Sequence, residues 1–343
     1  MTLNPLLLPA NQPPDRFYRG GSRIAAFRGE RGEASPGNHV PEDWVASVTT
    51  QAGQSVTGLT TLPATSAGRG RLLRDAIAGD PLGWLGQAHV EAFGTDPRLL
   101  VKLLDPGQRL PVHAHPDDAW AAAHLGRAHG KAEAWYIMAP GEVFLGLREP
   151  VAPERLLDLL RSQDTETLLG LLHRREVVAG DAVYVPPGVL HAIGEGVTLA
   201  EVQQPEDLSI LLEWRGFDLD GATDGHLGVG FEEALGALEL TARSDSDVDA
   251  LINSEGENGS VLPDEAARYF RAERYRFSGR QLLDKGYAVL IVIEGAAEAG
   301  FVGRRIPISA GDTALVPHAA GPLELTGSAT VLVFRPPSPG GPQ

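Results

Sequence analysis

The 343-residue chain has no cysteine, which excludes a disulfide scaffold and fits a reducing compartment. Positive charge is also scarce, with 29 Lys and Arg against 45 Asp and Glu and a formal net charge of −16. A phosphate backbone needs a basic face, so nucleic acid is excluded as an expected partner, although a local basic pocket for a small anion is not. Long apolar runs are missing too: none approaches the ~18 residues of a membrane span, so no membrane partner is expected. The opening MTLNPLLLPANQPPDR has a short Leu run, no basic head and prolines soon after, and reads as a mature cytoplasmic start.

Turn residues are what the chain has in excess. Gly 41 and Pro 26 form about a fifth of the sequence, against roughly 12% in an average chain, with no collagen-like period. Such punctuation favours many short strands. Alternating or β-branched stretches bounded by turns run from Glu142 to Leu147, Ala182 to Pro186, Val197 to Gln203, Leu208 to Trp214, Tyr287 to Glu294, Thr313 to Pro317 and Ala329 to Phe334. Helices interrupt this mainly β pattern in two places. Pro116-Asp117-Asp118 opens one that should stop near Gly126 to Gly130. The leucines from Leu156 to Leu172 describe two more, separated by a break and cap at Asp164-Thr165. Together they form a small helical insertion around 116–175.

AGDAVYVP at Ala179 to Pro186 recurs as AGDTALVP at Ala310 to Pro317, with five of eight residues shared. Each echo reads as a Gly-Asp turn, a short strand and a rim proline that ends pairing, which points to two β-barrels. The polar stretch from Arg243 to Ala266 reads as the junction. The expected division is therefore an N-terminal domain at 1–242, a C-terminal domain at 243–335 and a loose tail at 336–343.

The chemistry concentrates in two segments. In GQRLPVHAH, starting at Gly107, His113 and His115 stand two apart, and on a strand both imidazoles project to one face and can reach one centre. In GDAVYVPPGVLH, from Gly180, the spacing of Pro186, Gly188 and His191 completes a pattern that resembles the second signature of the cupin family, as the first segment resembles its opening G-x5-H-x-H. The resemblance implies a fourth ligand at Glu133, displaced by the inserted helix. Three imidazoles and a carboxylate suit Zn²⁺ or another divalent ion. His39, His89, His124, His129, His173, His226 and His318 lack such spacing and read as surface or core histidines. The C-terminal domain keeps the Gly311 to Pro317 frame but has no H-x-H ahead of it, so it is expected to lack metal ligands and to serve packing.

Glu42-Asp43-Trp44, VKLLDPGQRLPVHAHPDD from Val101, GKAEAWY from Gly130, GDAVYVPPGVLHAIGEG from Gly180 and EVQQPED from Glu201 occur in an order that resembles the class I mannose-6-phosphate isomerase family. That family consists of zinc-dependent bicupins with a helical insertion. The resemblance implies an aldose-ketose isomerase acting on a sugar or sugar phosphate, with His113, His115, Glu133 and His191 on the metal. It also implies Lys131 and Glu201 in acid/base work and Trp44 in the pocket wall. Lys102, inside apolar RLLVKLL, is read as meeting an anionic group.

The chain departs from the family pattern at three points. Pro111 stands where the family has Ser, His113 where it has Gln, and Leu211 where it has an active-site Arg; Arg215, four residues on, is the expected substitute. Loss of that hydroxyl and guanidinium leaves an altered or unphosphorylated substrate open. An oxidative metal-dependent cupin and a non-catalytic sugar-binding cupin are the competing readings.

Overall fold

The computed structural model describes residues 3–29, 39–63, 70–254, 256, 258–301 and 303–341. Residues 342 and 343 of the expected tail, and 255 and 257 of the expected junction, lie outside them.

The chain is mainly β and its strand pairings are antiparallel. A six-stranded sheet runs in the order Ile252–Asn253, Ala182–Val185, Glu133–Ile137, Leu199–Gln203, Leu100–Leu104, Glu42–Val45. A five-stranded sheet runs Ile210–Leu211, His113–Ala114, His191–Ile193, Gly141–Leu147, Leu172–Val177. Leu100–Leu104 and Leu199–Gln203 are buried along their whole length, as strands covered on both faces must be. The remaining strands of the described residues form a seven-stranded sheet dominated by three long ones, Arg271–Leu283, Ala288–Phe301 and Leu323–Arg335.

The two halves are not separate in pairing. Leu6–Leu8, at the chain start, pairs with Thr313 to Leu315, and Ile252–Asn253 pairs with Ala182 and Val183. Both pairings cross the division expected at residue 243. One apolar cluster draws on both halves, uniting Trp135, Val183 and Val202 with Val289, Ile291 and Phe334.

The expected insertion forms as Asp118–Leu125, Pro153–Ser162 and Thr165–Gly170. Asp117 caps the first by accepting from the Trp120 amide at 2.7 Å, and Gly126 ends it in the left-handed region at φ 62. Asp164 caps the third through the Thr167 amide. Helix is not confined to this insertion: Leu73–Gly79, Pro81–Leu85 and Gln87–Phe93 form a further group, each too short to show an amphipathic period. The strand expected over Leu208 to Trp214 shrinks to Ile210–Leu211. Beyond it Gln163 Oε1 accepts the amides of Trp214 (2.7 Å) and Arg215 (3.1 Å) and draws the chain off the sheet onto a helix end.

Candidate metal centre and adjoining pocket

The register of the two larger N-terminal sheets assembles the site. Residues paired across an antiparallel ladder share a face, so Trp44, Lys102, Glu201 and Trp135 form one row across the six-stranded sheet. Glu42 and Glu133, two residues from Trp44 and Trp135, project the same way. From the five-stranded sheet His113 pairs directly with His191 and, on its other side, with Leu211. The acids of one sheet and the imidazoles of the other thus meet in the space between them.

His113, His115, Glu133 and His191 are all buried, and each offers one ligand atom within 4.8 Å of the others. The imidazoles are oriented by their other nitrogens. Nδ1 of His113 bonds the Pro111 carbonyl at 2.8 Å, that of His115 the Leu208 carbonyl at 2.7 Å, and that of His191 the Val189 carbonyl at 2.8 Å. A carbonyl only accepts, so each Nδ1 carries the proton and each Nε2 keeps its lone pair for the centre. Burial, reinforced by the neighbouring imidazoles, pushes His113 well below the usual histidine range, and burial with Lys131 pushes His115 down to about 3. Burial opposes the Glu133 charge, but Lys131 outweighs it and holds the carboxyl well below its usual range.

The donor set fits a divalent ion. Buried His191 Nε2 makes no hydrogen bond among the described residues, although polar atoms shut away from water ordinarily do. A cation already leans on the cluster: Lys131 Nζ lies 3.0 Å from His115 Nε2 and 2.7 Å from Glu133 Oε2. Neutral imidazole and carboxylate are the ligand types such a centre requires.

Beside the cluster lies a pocket walled in part by His113, Lys131, Glu133, Lys102 and Glu201. Glu201 is 2% exposed, and burial raises its carboxyl to about 7 against the opposing pull of Lys102, whose Nζ is 3.4 Å away. Burial alone would discharge Lys102, but Glu42 and Glu201 reverse that and hold it charged. Its expected anionic partners are therefore these two side chains.

Two residues expected in the pocket stand elsewhere. Trp44 is fully buried at the edge-strand end of that row, where its Nε1 donates to Glu42 Oε2 at 2.6 Å and Lys102 Nζ lies 4.8 Å from its ring centroid; it supports lining residues without lining the space. Arg215 is exposed and donates to the Ser162 carbonyl at 2.9 Å, because the chain has left the sheet before reaching it. Conversely, Arg16, Tyr18, Glu42, Asp207 and Ser209 line the pocket with no role foreseen from sequence. Glu42 and Asp207 fall within the strings that carried the family resemblance. Arg16 lies in a Pro- and Asp-rich stretch that reads as an ordinary loop.

No family model matches the chain. Among curated proteins, it is 28% identical to mannose-6-phosphate isomerase ManA of Bacillus subtilis (strain 168) over 325 residues, covering 92% of this chain and 94% of that one. It is 28% identical to the mannose-6-phosphate isomerase of Streptococcus mutans serotype c over 251 residues, 70% of this chain and 76% of that one. Among solved structures, mannose 6-phosphate isomerase from Bacillus subtilis superposes with a TM-score of 0.71 at 24% identity, covering 96% and 99% of the two chains. A phosphomannose isomerase variant from Salmonella typhimurium gives 0.74 at 15% identity, covering 98% and 100%. These likenesses establish the cupin-type fold over nearly the whole chain. Among the described residues no helix is long and apolar enough to cross a membrane.

Proposed function

We propose that this chain, which belongs to the mannose-6-phosphate isomerase family, is a metal-dependent aldose-ketose isomerase acting on mannose 6-phosphate or a closely related sugar. The observation that carries the reading is the convergence of three oriented Nε2 atoms and the Glu133 carboxylate beside a pocket walled by a carboxyl pushed up to about 7. His113, His115, Glu133 and His191 would hold the ion, zinc or another divalent metal. Bound there, it would act as a Lewis acid toward a sugar's vicinal oxygens.

Interconverting an aldose and a ketose moves a proton between adjacent carbons. The obstacle is the weak acidity of a carbon beside a carbonyl. A base must therefore sit close, out of water, with an affinity matched to neutral pH. Glu201 meets these needs: it is buried, faces the pocket, and titrates near neutrality. Lys102 holds the carboxyl from one side and keeps its proton affinity from rising further. Lys131, 5% exposed, donates beside Glu133 and is placed to trade protons with a sugar hydroxyl. Burial of both groups keeps bulk water from competing for the transferred proton.

The test is to incubate the zinc-loaded protein in D₂O with mannose 6-phosphate, fructose 6-phosphate, mannose and fructose. Isomer formation with deuterium at C1 or C2 is expected. Metal and sugar binding without either would replace the isomerase reading with a sugar-binding cupin.

A further inference from the structure

We infer that Arg16, assisted by Ser209, receives the anionic end of a phosphorylated sugar, so that the guanidinium and hydroxyl lacking at Leu211 and Pro111 are supplied from other positions on the same wall. The inference rests on the isomerase reading for the identity of the sugar, but not for the existence of the anion site.

Arg16 is nine-tenths buried, and burying a guanidinium is costly unless carboxylates surround it. Two do, but neither belongs to it alone. Glu42 accepts Arg16 Nε at 2.8 Å, and also receives Tyr18 Oη at 2.7 Å and Trp44 Nε1 at 2.6 Å, with Lys102 Nζ 3.7 Å away. Asp207 is 3.5 Å from Arg16 Nη1, and also takes the Ala52 amide at 3.0 Å. Nη2 makes no hydrogen bond among the described residues, although a guanidinium carries five N–H donors. One edge of Arg16 is thus fixed by Glu42, and donors remain for a ligand in the pocket it lines.

The wall as a whole has the matching charge. It carries three cations, Arg16, Lys102 and Lys131, against four carboxylates, Glu42, Glu133, Glu201 and Asp207. A divalent ion on the histidine cluster would add two positive charges to that balance. A loaded site of this sign favours an anionic substrate in a protein that is acidic overall.

Ser209 adds a hydroxyl two residues beyond Asp207, on the segment that ends at Leu211. Pro111 and Leu211 line the same pocket and have no side-chain donor to contribute. Arginine and a hydroxyl form a recognised pair for phosphate oxygens, the guanidinium through planar, charge-assisted contacts.

Two measurements test this. In turnover of the zinc-loaded protein, Arg16→Gln should raise KM for mannose 6-phosphate about tenfold or more beyond any change for mannose, Arg16→Lys should recover part of the loss, and Ser209→Ala should show a smaller selective rise. By calorimetry, inorganic phosphate should bind the unmutated chain and bind Arg16→Gln about tenfold or more weakly. Equal losses on both sugars, or phosphate binding indifferent to Arg16, would make Arg16 a structural partner of Glu42 and overturn the inference. Should Arg16→Gln fail to fold, Ser209→Ala decides by the same KM comparison. Arg16-dependent phosphate binding without isomerisation would retain this anion site and discard the isomerase reading.

Discussion

The two halves share one piece of local structure and use it differently. In AGDAVYVP and AGDTALVP the glycines take left-handed conformations, Gly180 at φ 103 and Gly311 at φ 91. The adjacent aspartates close the same turn: Asp181 Oδ2 accepts the Val178 amide at 2.8 Å, and Asp312 Oδ2 the Ser309 amide at 2.7 Å. Fully buried strands, Ala182–Val185 and Thr313–Val316, come next in each. After the proline the two diverge. Gly188 donates to the His115 carbonyl at 2.7 Å, and the chain returns to pair His191 with His113. His318 instead enters a single 3₁₀ turn and packs against Gly86, where a Cβ would come within 2.5 Å of its ring. The Gly-Asp turn is scaffold, and the candidate metal centre depends on the handful of residues beyond the proline.

The interiors differ accordingly. Leu290, Val292, Leu325, Val331 and Val333 form an apolar cluster within the C-terminal sheet. Between the N-terminal sheets the corresponding space holds buried carboxylates, lysines and imidazoles. The sharpest break of this contrast is to exchange histidines. His191→Ala should lower metal affinity at least 100-fold, more than loss of an outer partner usually costs, and abolish turnover. His318→Ala should leave metal content unchanged. Metal analysis after dialysis checks both, and metal loss in His318→Ala would reject the division of labour.

The converse experiment removes apolar mass from the other half. Leu325 is fully buried in the C-terminal cluster, and Leu325→Ala should destabilise the protein by about 2–5 kcal/mol, read from urea unfolding. Metal affinity of the folded fraction should stay within about threefold, since a tenfold change is 1.4 kcal/mol at the site itself. A large drop in affinity would mean that the C-terminal half shapes the centre directly.

Charge in the N-terminal interior also gives a pH signature. Glu201 is raised from 4.5 to about 7 by burial. Below pH 4.5 both folded and unfolded states carry its proton. As pH rises from 4.5 to 7 the unfolded state releases the proton first, so this group lowers folding stability across that window, and the effect levels off above it. Glu42 and Asp207 act in the opposite direction. Burial pushes each up, but Arg16 and Lys102 hold both below the usual range, so their stabilisation is present above the unfolded values and is lost as pH falls through the folded ones. In metal-free protein, Glu201→Gln should therefore gain stability relative to the unmutated chain between pH 4.5 and 7 and remain level beyond. Urea midpoints from acid to mildly alkaline pH provide the check, and a flat difference would place the Glu201 proton affinity near its ordinary value.

Local signals made some of this architecture legible in sequence. Asp117, Gly126 and Asp164 mark helix ends through their own side chains or backbone freedom, and all three act there. The spacing of His113 and His115 conveys a shared direction because strand geometry repeats every two residues. Pairings remote in sequence leave no such mark. Nothing within Leu6–Leu8 announces a partner beginning at Thr313, and nothing around Arg16 announces Glu42 or Asp207. Arg215 misses the pocket for a related reason: the apolar pattern to Trp214 describes burial, whereas the strand stops where Gln163, on another element, takes the next amides.

The smallest effect concerns the shared turn alone. Asp181→Ala and Asp312→Ala each remove one side-chain acceptor from a backbone amide and leave the turn's own bond, Asp181 amide to the Val178 carbonyl and Asp312 amide to the Ser309 carbonyl, intact. Val178 and Ser309 are exposed, so water can replace the lost acceptor in both halves. Each substitution should cost about 0.5–1.5 kcal/mol, the net worth of an ordinary hydrogen bond, and Asp312, which also accepts the Ser309 hydroxyl at 3.1 Å, should fall at the upper end. Neither should change metal content, because the turn fixes where the strand begins and leaves the path of the chain beyond the proline untouched. Unfolding midpoints that separate the pair by more than about 2 kcal/mol, beyond what one such bond supplies, would show that the two turns are alike in geometry but unequal in the structure they support.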